Sequence, residues 1–379
     1  MQIEGTSRTS FVQYDILPLL EGLIEPLMID RQTNGTIVVR GRLLTSAEQV
    51  YRPLRARFER IGYTPFLRPH ADGVELIAAP MVIERRPQRW RLNLVLFLAT
   101  VISVLSTGAL NEMAVLAEAN GTAFQPGELL RDPALLALGL PFMATLLGIL
   151  FTHEMGHYVV GRWRGAPASL PYFIPMPPFI SITGTLGAVI VQREPFEDRR
   201  TLLEVAVAGP LAGLVVAIPL LFYGLSTSQL GAPVPGHLME GNSLFYALSK
   251  FWVFGQWLPG AGMDVQLNSV AWGAWIGLLV TMFNLLPVGQ LDGGHISYAL
   301  FGEKAEWLAY AMMLLCLGLG IFVATTWLVW VILIALMGPR HPAPFNDVVQ
   351  LRPAHTVLGV IGLIAFVLLF VPNPLTLIS

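Results

Sequence analysis

Long apolar segments constrain this chain more than any other feature of its sequence. A helix needs about 20 residues to cross the hydrocarbon core of a bilayer, which is about 30 Å thick. Only 13% of the residues are charged, against about 25% in soluble domains. An ordinary soluble enzyme is therefore excluded, and the lipid bilayer is the expected surrounding of most of the chain. The apolar runs predict about seven helical crossings, at 92–110, 134–160, 201–224, 269–287, 304–322, 323–338 and 354–372.

Charged residues are concentrated before the first crossing. Residues 1–91 hold 13 of the 23 lysines and arginines, although they make up about a quarter of the chain. Alternating strand and helix patterns there, with an Asp72-Gly73 turn signal and the capping-box spacing Ser46-Ala-Glu-Gln49, predict a small soluble α/β domain. Its role stays open between recruitment, gating and anchoring. The sequence thus divides into a soluble domain, 1–91, and a membrane-embedded domain, 92–379. The formal net charge of −2 gives no case for a nucleic-acid partner.

Basic residues next to the crossings predict the orientation of the chain. Arginine and lysine are enriched in short cytoplasmic flanks. Four arginines precede the first crossing. They predict that the protein lies in the cell membrane with its N-terminal domain in the cytoplasm. These residues are Arg85, Arg86, Arg89 and Arg91.

The segment from Pro167 to Gln192 fits neither a spanning helix nor an ordinary loop. Four prolines between 171 and 178 oppose a helix, and the run from Ile180 to Val191 is rich in β-branched residues. Extended backbone survives at membrane depth only where protein covers it or where it lines a watery cavity. The pattern therefore predicts a re-entrant β-hairpin beside a polar site, with a surface loop as the alternative.

The motif His153-Glu154-Met-Gly-His157 lies near the inner end of the second predicted crossing. Residues four apart share one face of a helix, so two imidazoles can bind one zinc ion while the glutamate reaches the water that is activated there. Ionisable groups in an apolar span are functional candidates by default. The alternative is that the histidines hold neighbouring helices together through hydrogen bonds.

A catalytic zinc site usually has three protein ligands, so a third ligand is needed. Asp292 is the best candidate because it follows the break at Pro287 that ends the fourth crossing, at the same membrane depth as His157. Asp292 is equally well placed to cap the next helix, and spacing alone does not decide between these roles. His295 is a competing ligand. We expect His237, His341 and His355 to lie elsewhere.

Two motifs in this order resemble the site-2 protease family of intramembrane zinc metalloproteases. The first is His153-Glu154-x-x-His157, and the second is Asn284-x-x-Pro287-x-x-x-Leu291-Asp292-Gly-Gly. The segments Gly184-Thr-Leu-Gly187 and Ala208-Gly-Pro-Leu-Ala-Gly213 are similar to intervening parts of that family, in particular its plastid and prokaryotic branch. The catalytic core would span about 134–350, and the loop at 225–268 is too short for a PDZ domain.

The resemblance implies a role for each matching residue. His153, His157 and Asp292 would bind one Zn²⁺ per chain, Glu154 would be the general base, and Asn284 would hold the substrate carbonyl or oxyanion. An interhelical hydrogen bond is the alternative for Asn284. Gly184 and Gly187 would allow the hairpin strand to approach an unwound substrate, or would simply form a turn.

The function expected from these features is a zinc endopeptidase that cuts other proteins in or near their transmembrane segments, as in regulated intramembrane proteolysis. A catalytically silent membrane chaperone of the same fold is the first alternative, although the intact Glu154 argues against it. An ion transporter is less favoured because the sequence has no inverted repeat of broken helices. The sequence names neither the substrate nor the oligomeric state.

Overall fold

The computed structural model describes residues 16–83, 89–234 and 236–378. They form two compact units. The first contains the described residues of Met1–Arg85 together with Glu194–Arg200 and Ala343–Gln350, and the second contains the described residues of Arg86–Arg193, Thr201–Pro342 and Leu351–Ser379. Of the predicted basic flank, Arg85 and Arg86 lie outside the described residues.

The first unit is built on a four-stranded antiparallel sheet. Its elements are α1 (Leu17–Leu20), β1 (Ile24–Arg31), β2 (Ile37–Leu43), α2 (Ala47–Glu59), β3 (Thr64–His70) and β4 (Gly73–Ala79). The strand order is β1-β2-β4-β3. Alternate residues of β2 and β4 are buried, and α2 contributes a buried stripe at helical spacing. The Asp72-Gly73 turn joins β3 to β4 as predicted. The capping box is wrong in one respect, because Ser46 precedes α2 but its side chain caps no backbone amide.

Two segments from later in the chain complete the first unit. Phe345 is fully buried in its core and stacks on Tyr51 with 6.0 Å between ring centroids. The Leu67 amide donates to the Phe345 carbonyl at 2.8 Å, and the Asp347 amide donates to the Leu67 carbonyl at 3.0 Å. This short pairing extends the sheet beyond β3, so the unit draws on chain that lies far outside residues 1–91.

The second unit is mostly helical. Its helices are α3 (Trp90–Ala119), α4 (Glu128–Arg131), α5 (Leu140–Trp163), α6 (Arg199–Ser226, whose first two residues belong to the first unit), α7 (Leu244–Phe254), α8 (Ser269–Asn284), α9 (Asp292–Phe301), α10 (Ala305–Phe322), α11 (Thr326–Met337) and α12 (Pro353–Leu369). Short strands complete it: β5 (Tyr172–Pro175), β6 (Thr185–Val189), β7 (Gln229–Gly231), β8 (Leu238–Glu240), β9 (Asp264–Gln266) and β10 (Leu375–Leu377).

Four helical stretches are long and apolar enough to cross a membrane. They are Trp90–Ala119, Pro133–Trp163, Arg199–Ser226 and Asp292–Phe322, while α7, α8, α11 and α12 are shorter apolar helices. The chain is therefore a mostly helical membrane protein. The fifth predicted crossing, 304–322, is the second part of the stretch that begins at Asp292. The count of seven crossings stays a prediction.

An antiparallel hairpin occupies part of the segment predicted to be re-entrant. Strand β5 pairs with β6, whose five residues are fewer than the predicted run from 180 to 191. Asn93 on α3 donates from Nδ2 to the carbonyls of Leu170 and Pro171, at 2.8 and 3.0 Å, and so attaches the start of the hairpin to that helix. Its depth in a membrane stays a prediction.

Candidate metal centre

The two motif histidines are buried on one face of α5. His153 and His157 are one turn apart, as the i, i+4 spacing predicts, and their Nε2 atoms are 3.2 Å apart. Two imidazole nitrogens that point toward one position, inside an apolar helix, are suited to share a metal ion.

A tight turn between α8 and α9 places the third side chain. Helix α8 ends at Asn284 and α9 begins at Asp292. Gly293 allows this turn, because a Cβ atom at that position would lie 1.9 Å from the Leu285 carbonyl oxygen. Leu291 occupies the N-cap position, and Asp292 is the first residue of the helix itself. The helix-cap alternative for Asp292 is therefore wrong, and its carboxylate faces the histidines.

The three ligand atoms form a nearly equilateral triangle. Asp292 Oδ2 lies 3.2 Å from His153 Nε2 and 3.2 Å from His157 Nε2, which matches the separation of the two nitrogens. Tetrahedral zinc with bonds of about 2.0–2.1 Å holds its ligand atoms about 3.3 Å apart. Two neutral imidazoles and one carboxylate also suit the chemistry of zinc. The donor set therefore fits this ion, and within the described residues it is the one such group of three.

Glu154 and Asn284 lie next to this triangle. Glu154 follows His153 in α5 and is 6% exposed, and no ion pair with lysine or arginine is found for it within the described chain. No lysine or arginine of the described residues therefore neutralises its carboxylate. Asn284 Nδ2 is 3.4 Å from His153 Nε2, which brings the last residue of α8 to the edge of the site.

The other candidate histidines lie elsewhere. His295, the competing ligand, instead contacts His341 through its ring nitrogen, and the rings of Tyr298 and His341 stack. His237 faces Glu118, and His355 faces Glu204. As expected, His237, His341 and His355 are not part of the triangle.

The two hairpin glycines have different surroundings. Both have positive φ, +71° at Gly184 and +99° at Gly187. A Cβ atom at Gly184 would lie 2.6 Å from Thr107 Oγ1 and 2.8 Å from the Val104 Cα, so this glycine packs against α3. At Gly187 nothing lies within 4 Å. Gly187 is therefore open to a further chain, whereas Gly184 is occupied by contacts with the protein. Their contact with substrate stays a prediction.

Sequence comparison relates the segment that holds this site to a known family. Residues 141–319, which include both histidines, Glu154, Asn284 and Asp292, match the family model of Peptidase family M50. This segment, a little under half of the chain, is similar to peptidase family M50. The resemblance to site-2 proteases is thereby confirmed.

Curated plant relatives extend the match. The "Probable zinc metalloprotease EGY1, chloroplastic" of Arabidopsis thaliana is 31% identical over 74% of this chain and 52% of its own length. The rice protein of the same name is 29% identical over 74% of this chain and 50% of its own, and the Arabidopsis EGY2 protein is 30% identical over 67% and 44%. The chain thus spans about half the length of these relatives. No solved structure matches it.

One contributor to the site carries no sequence signal of its own. The backbone carbonyl of Val205 on α6 accepts a hydrogen bond from His157 Nδ1 at 2.7 Å. Any residue type can supply a main-chain carbonyl, so only the packing of α6 on α5 reveals this contact.

Proposed function

We propose that the chain is a zinc endopeptidase that hydrolyses peptide bonds in or near transmembrane segments of other membrane proteins. The observation that carries this proposal is the convergence of His153, His157 and Asp292 beside the buried Glu154, within the segment that matches peptidase family M50. The relatives carry the name "Probable zinc metalloprotease", which supports the same chemistry.

His153, His157 and Asp292 would hold one zinc ion per chain. Zinc bound there would act as a Lewis acid that acidifies water and polarises a peptide carbonyl. Two neutral imidazoles and one carboxylate leave the ion with a net positive charge, which suits this role. The three protein ligands also leave a position open, as in catalytic rather than structural zinc sites.

Glu154 would move the proton. Its carboxylate would accept a proton from the attacking water as the new C–O bond forms, and would then deliver that proton to the leaving amine as the peptide C–N bond breaks. The buried position of Glu154 favours proton transfer, because the ionised form gains little from solvent there.

Asn284 would contact the substrate carbonyl. Its amide is neutral and donates hydrogen bonds, which suits an oxygen that gains negative charge in the transition state. Its place at the end of α8, 3.4 Å from His153, is within reach of such an oxygen.

The β5–β6 hairpin would receive the substrate backbone. A transmembrane helix hides its carbonyls in its own hydrogen bonds, so the substrate must unwind before cleavage. Among the described residues β6 pairs as a strand with β5 alone, and Leu186 on it is 67% exposed. Its free edge can take up an unwound segment by strand addition.

Proline substitutions test this strand-addition proposal. Prolines at Leu186 and Ala188 together remove backbone donors from β6 and should abolish cleavage while zinc content stays at the wild-type value. Unchanged cleavage would overturn the role of the hairpin.

The location of the protein belongs to the same proposal. Basic flanks, including Arg89 and Arg91, favour a cytoplasmic first unit and an active site near the cytoplasmic face of a cell membrane. Labelling of single introduced cysteines from each side tests this, and a first unit labelled only from outside would contradict it.

Glu154→Gln tests the protease function itself. The variant keeps the shape of the side chain but cannot accept a proton. We expect cleavage of a test membrane protein to fall by about 10²–10⁴-fold, with about one zinc per chain retained. Equal cleavage by wild type and variant would remove Glu154 from its role. Absence of any cleavage by the wild type, with zinc bound, would favour the silent chaperone.

A further inference from the structure

Helix α6 packs its main chain directly against both zinc-site histidines. We infer that α6 is a positioning element of the metal centre, acting through the Val205 carbonyl and through Gly209 and Gly213. This inference rests on the proposed zinc site, and it assigns residues that donate no ligand atom to the ion.

The Val205 carbonyl fixes which ring nitrogen of His157 carries the proton. Because a carbonyl oxygen only accepts, the 2.7 Å contact requires the proton of His157 to be on Nδ1. The lone pair is then on Nε2, which is the nitrogen that faces Asp292 and His153. A ligand histidine oriented through its other nitrogen is a general feature of zinc sites. Here the orienting group is a backbone atom of the neighbouring helix.

Gly209 lies against the same ring. A Cβ atom at this position would be 2.0 Å from His157 Nε2 and 2.4 Å from both Cδ2 and Cε1. These distances are far shorter than a van der Waals contact, so any larger residue displaces either α6 or the ring. If the ring moves, the displaced atom is the nitrogen that faces Asp292; if α6 moves, the Val205 carbonyl is displaced from the ring.

Gly213 lies one turn further along α6. It makes a looser contact with the other histidine, His153. Its Cβ atom would be 3.2 Å from His153 Cβ and 3.3 Å from His153 Nδ1. Those contacts are tight, but a shift of a few tenths of an ångström relieves them. The two glycines are four residues apart, as are the two histidines, so one face of α6 follows one face of α5.

Glycine inside a helix is unfavourable relative to alanine, so its presence at these positions needs an explanation. Elsewhere on α6, at Gly224, the explanation is close packing against another helix. A Cβ atom at Gly224 would lie 2.5 Å from the backbone nitrogen of Ala271. Gly224 therefore separates the effect of close helix packing from an effect on the metal ligands.

Four alanine variants of the full chain, loaded with Co²⁺ in place of zinc, test the inference. The readouts are Co²⁺ affinity and the ligand-field absorption spectrum, which reports ligand geometry and does not depend on cleavage. For Gly209→Ala we expect a loss of affinity of at least about tenfold and an altered spectrum. For Gly213→Ala the same changes should be smaller. Gly148→Ala on α5, where nothing lies within 4 Å of the added carbon, is the matched control and should behave as wild type.

Gly224→Ala completes the comparison. It should lower the unfolding temperature while leaving the Co²⁺ spectrum unchanged. A spectrum and affinity for Gly209→Ala equal to those of Gly148→Ala would overturn the inference, as would a spectral change in Gly224→Ala as large as in Gly209→Ala. If Gly209→Ala does not fold, Gly213→Ala decides by the same criteria. A wild-type chain that folds but binds no Co²⁺ would instead remove the zinc site, and the inference with it.

Discussion

Two buried clusters of ionisable groups in the second unit are built in opposite ways. In the metal centre, Asp292 and two histidines converge, and within the described chain no lysine or arginine pairs with them. In the other cluster, fully buried Lys250 on α7 lies between two carboxylates, 3.2 Å from Glu240 and 2.8 Å from Asp264. The first cluster has a donor set that could hold a cation from outside the chain, whereas the second contains its own.

This contrast separates a ligand site from a structural one. Burying a charge is unfavourable unless it is paired and hydrogen-bonded. The lysine cluster meets that condition internally, and the Tyr246 hydroxyl donates a further hydrogen bond to Glu240 at 2.9 Å. In the histidine cluster a bound metal ion would meet it. Removing one residue should therefore change metal binding in one case and folding in the other.

Asp292→Ala should have the largest effect. Loss of the only anionic ligand should lower zinc affinity by more than about a thousandfold, beyond the 10–100-fold typical of residues that only orient ligands. Zinc content after mild chelator washing measures this. Asp132→Ala, which removes an exposed carboxylate, is the control and should keep its zinc. If Asp292→Ala retained zinc under the same washing, the ligand assignment would be wrong.

Lys250→Met should destabilise the fold without emptying the metal centre. It leaves Glu240 and Asp264 buried and unpaired with a cation, and removal of one partner from a buried ion pair lowers stability by about 3–5 kcal/mol. Thermal unfolding of the protein in lipid nanodiscs checks this, with zinc content measured below the transition. Lys304→Met is the matched control, since Lys304 is exposed and is the other lysine of the chain.

The pH dependence of Lys250→Met sharpens the same prediction. Burial raises the pKa of Glu240, nearby Asp264 adds to this, and the positive charge of Lys250 opposes it. Without Lys250 the pKa of Glu240 rises further above its unfolded value. The folded variant then binds a proton that the unfolded chain releases, so its stability is lost as pH rises and recovered as pH falls. We expect part of the loss to be recovered as the pH is lowered toward the unfolded pKa of glutamate, about 4.3. A loss independent of pH would show that packing, rather than charge, is the cause.

Local patterns predicted the elements that short-range physics controls. The i, i+4 histidines with Glu154, the β3–β4 turn at Asp72-Gly73 and the apolar helices all follow from spacing and composition. The edge strand β1 was not predicted, because most of its residues are exposed and carry no alternating pattern. The insertion of Phe345 into the first unit was also missed, since nothing near that residue specifies a partner almost 300 positions earlier.

The sequence by itself determined the apolar helices of a membrane protein and a helix with two histidines and a glutamate at the spacing of a metal site, because helical spacing and hydropathy are local properties. Only the tertiary structure decided that Asp292 faces those histidines instead of capping α9, and that His295 turns toward His341. It alone also showed that α6 brings the Val205 carbonyl and Gly209 against His157. Each of these contacts joins residues on different helices, so its geometry depends on packing that no local pattern encodes.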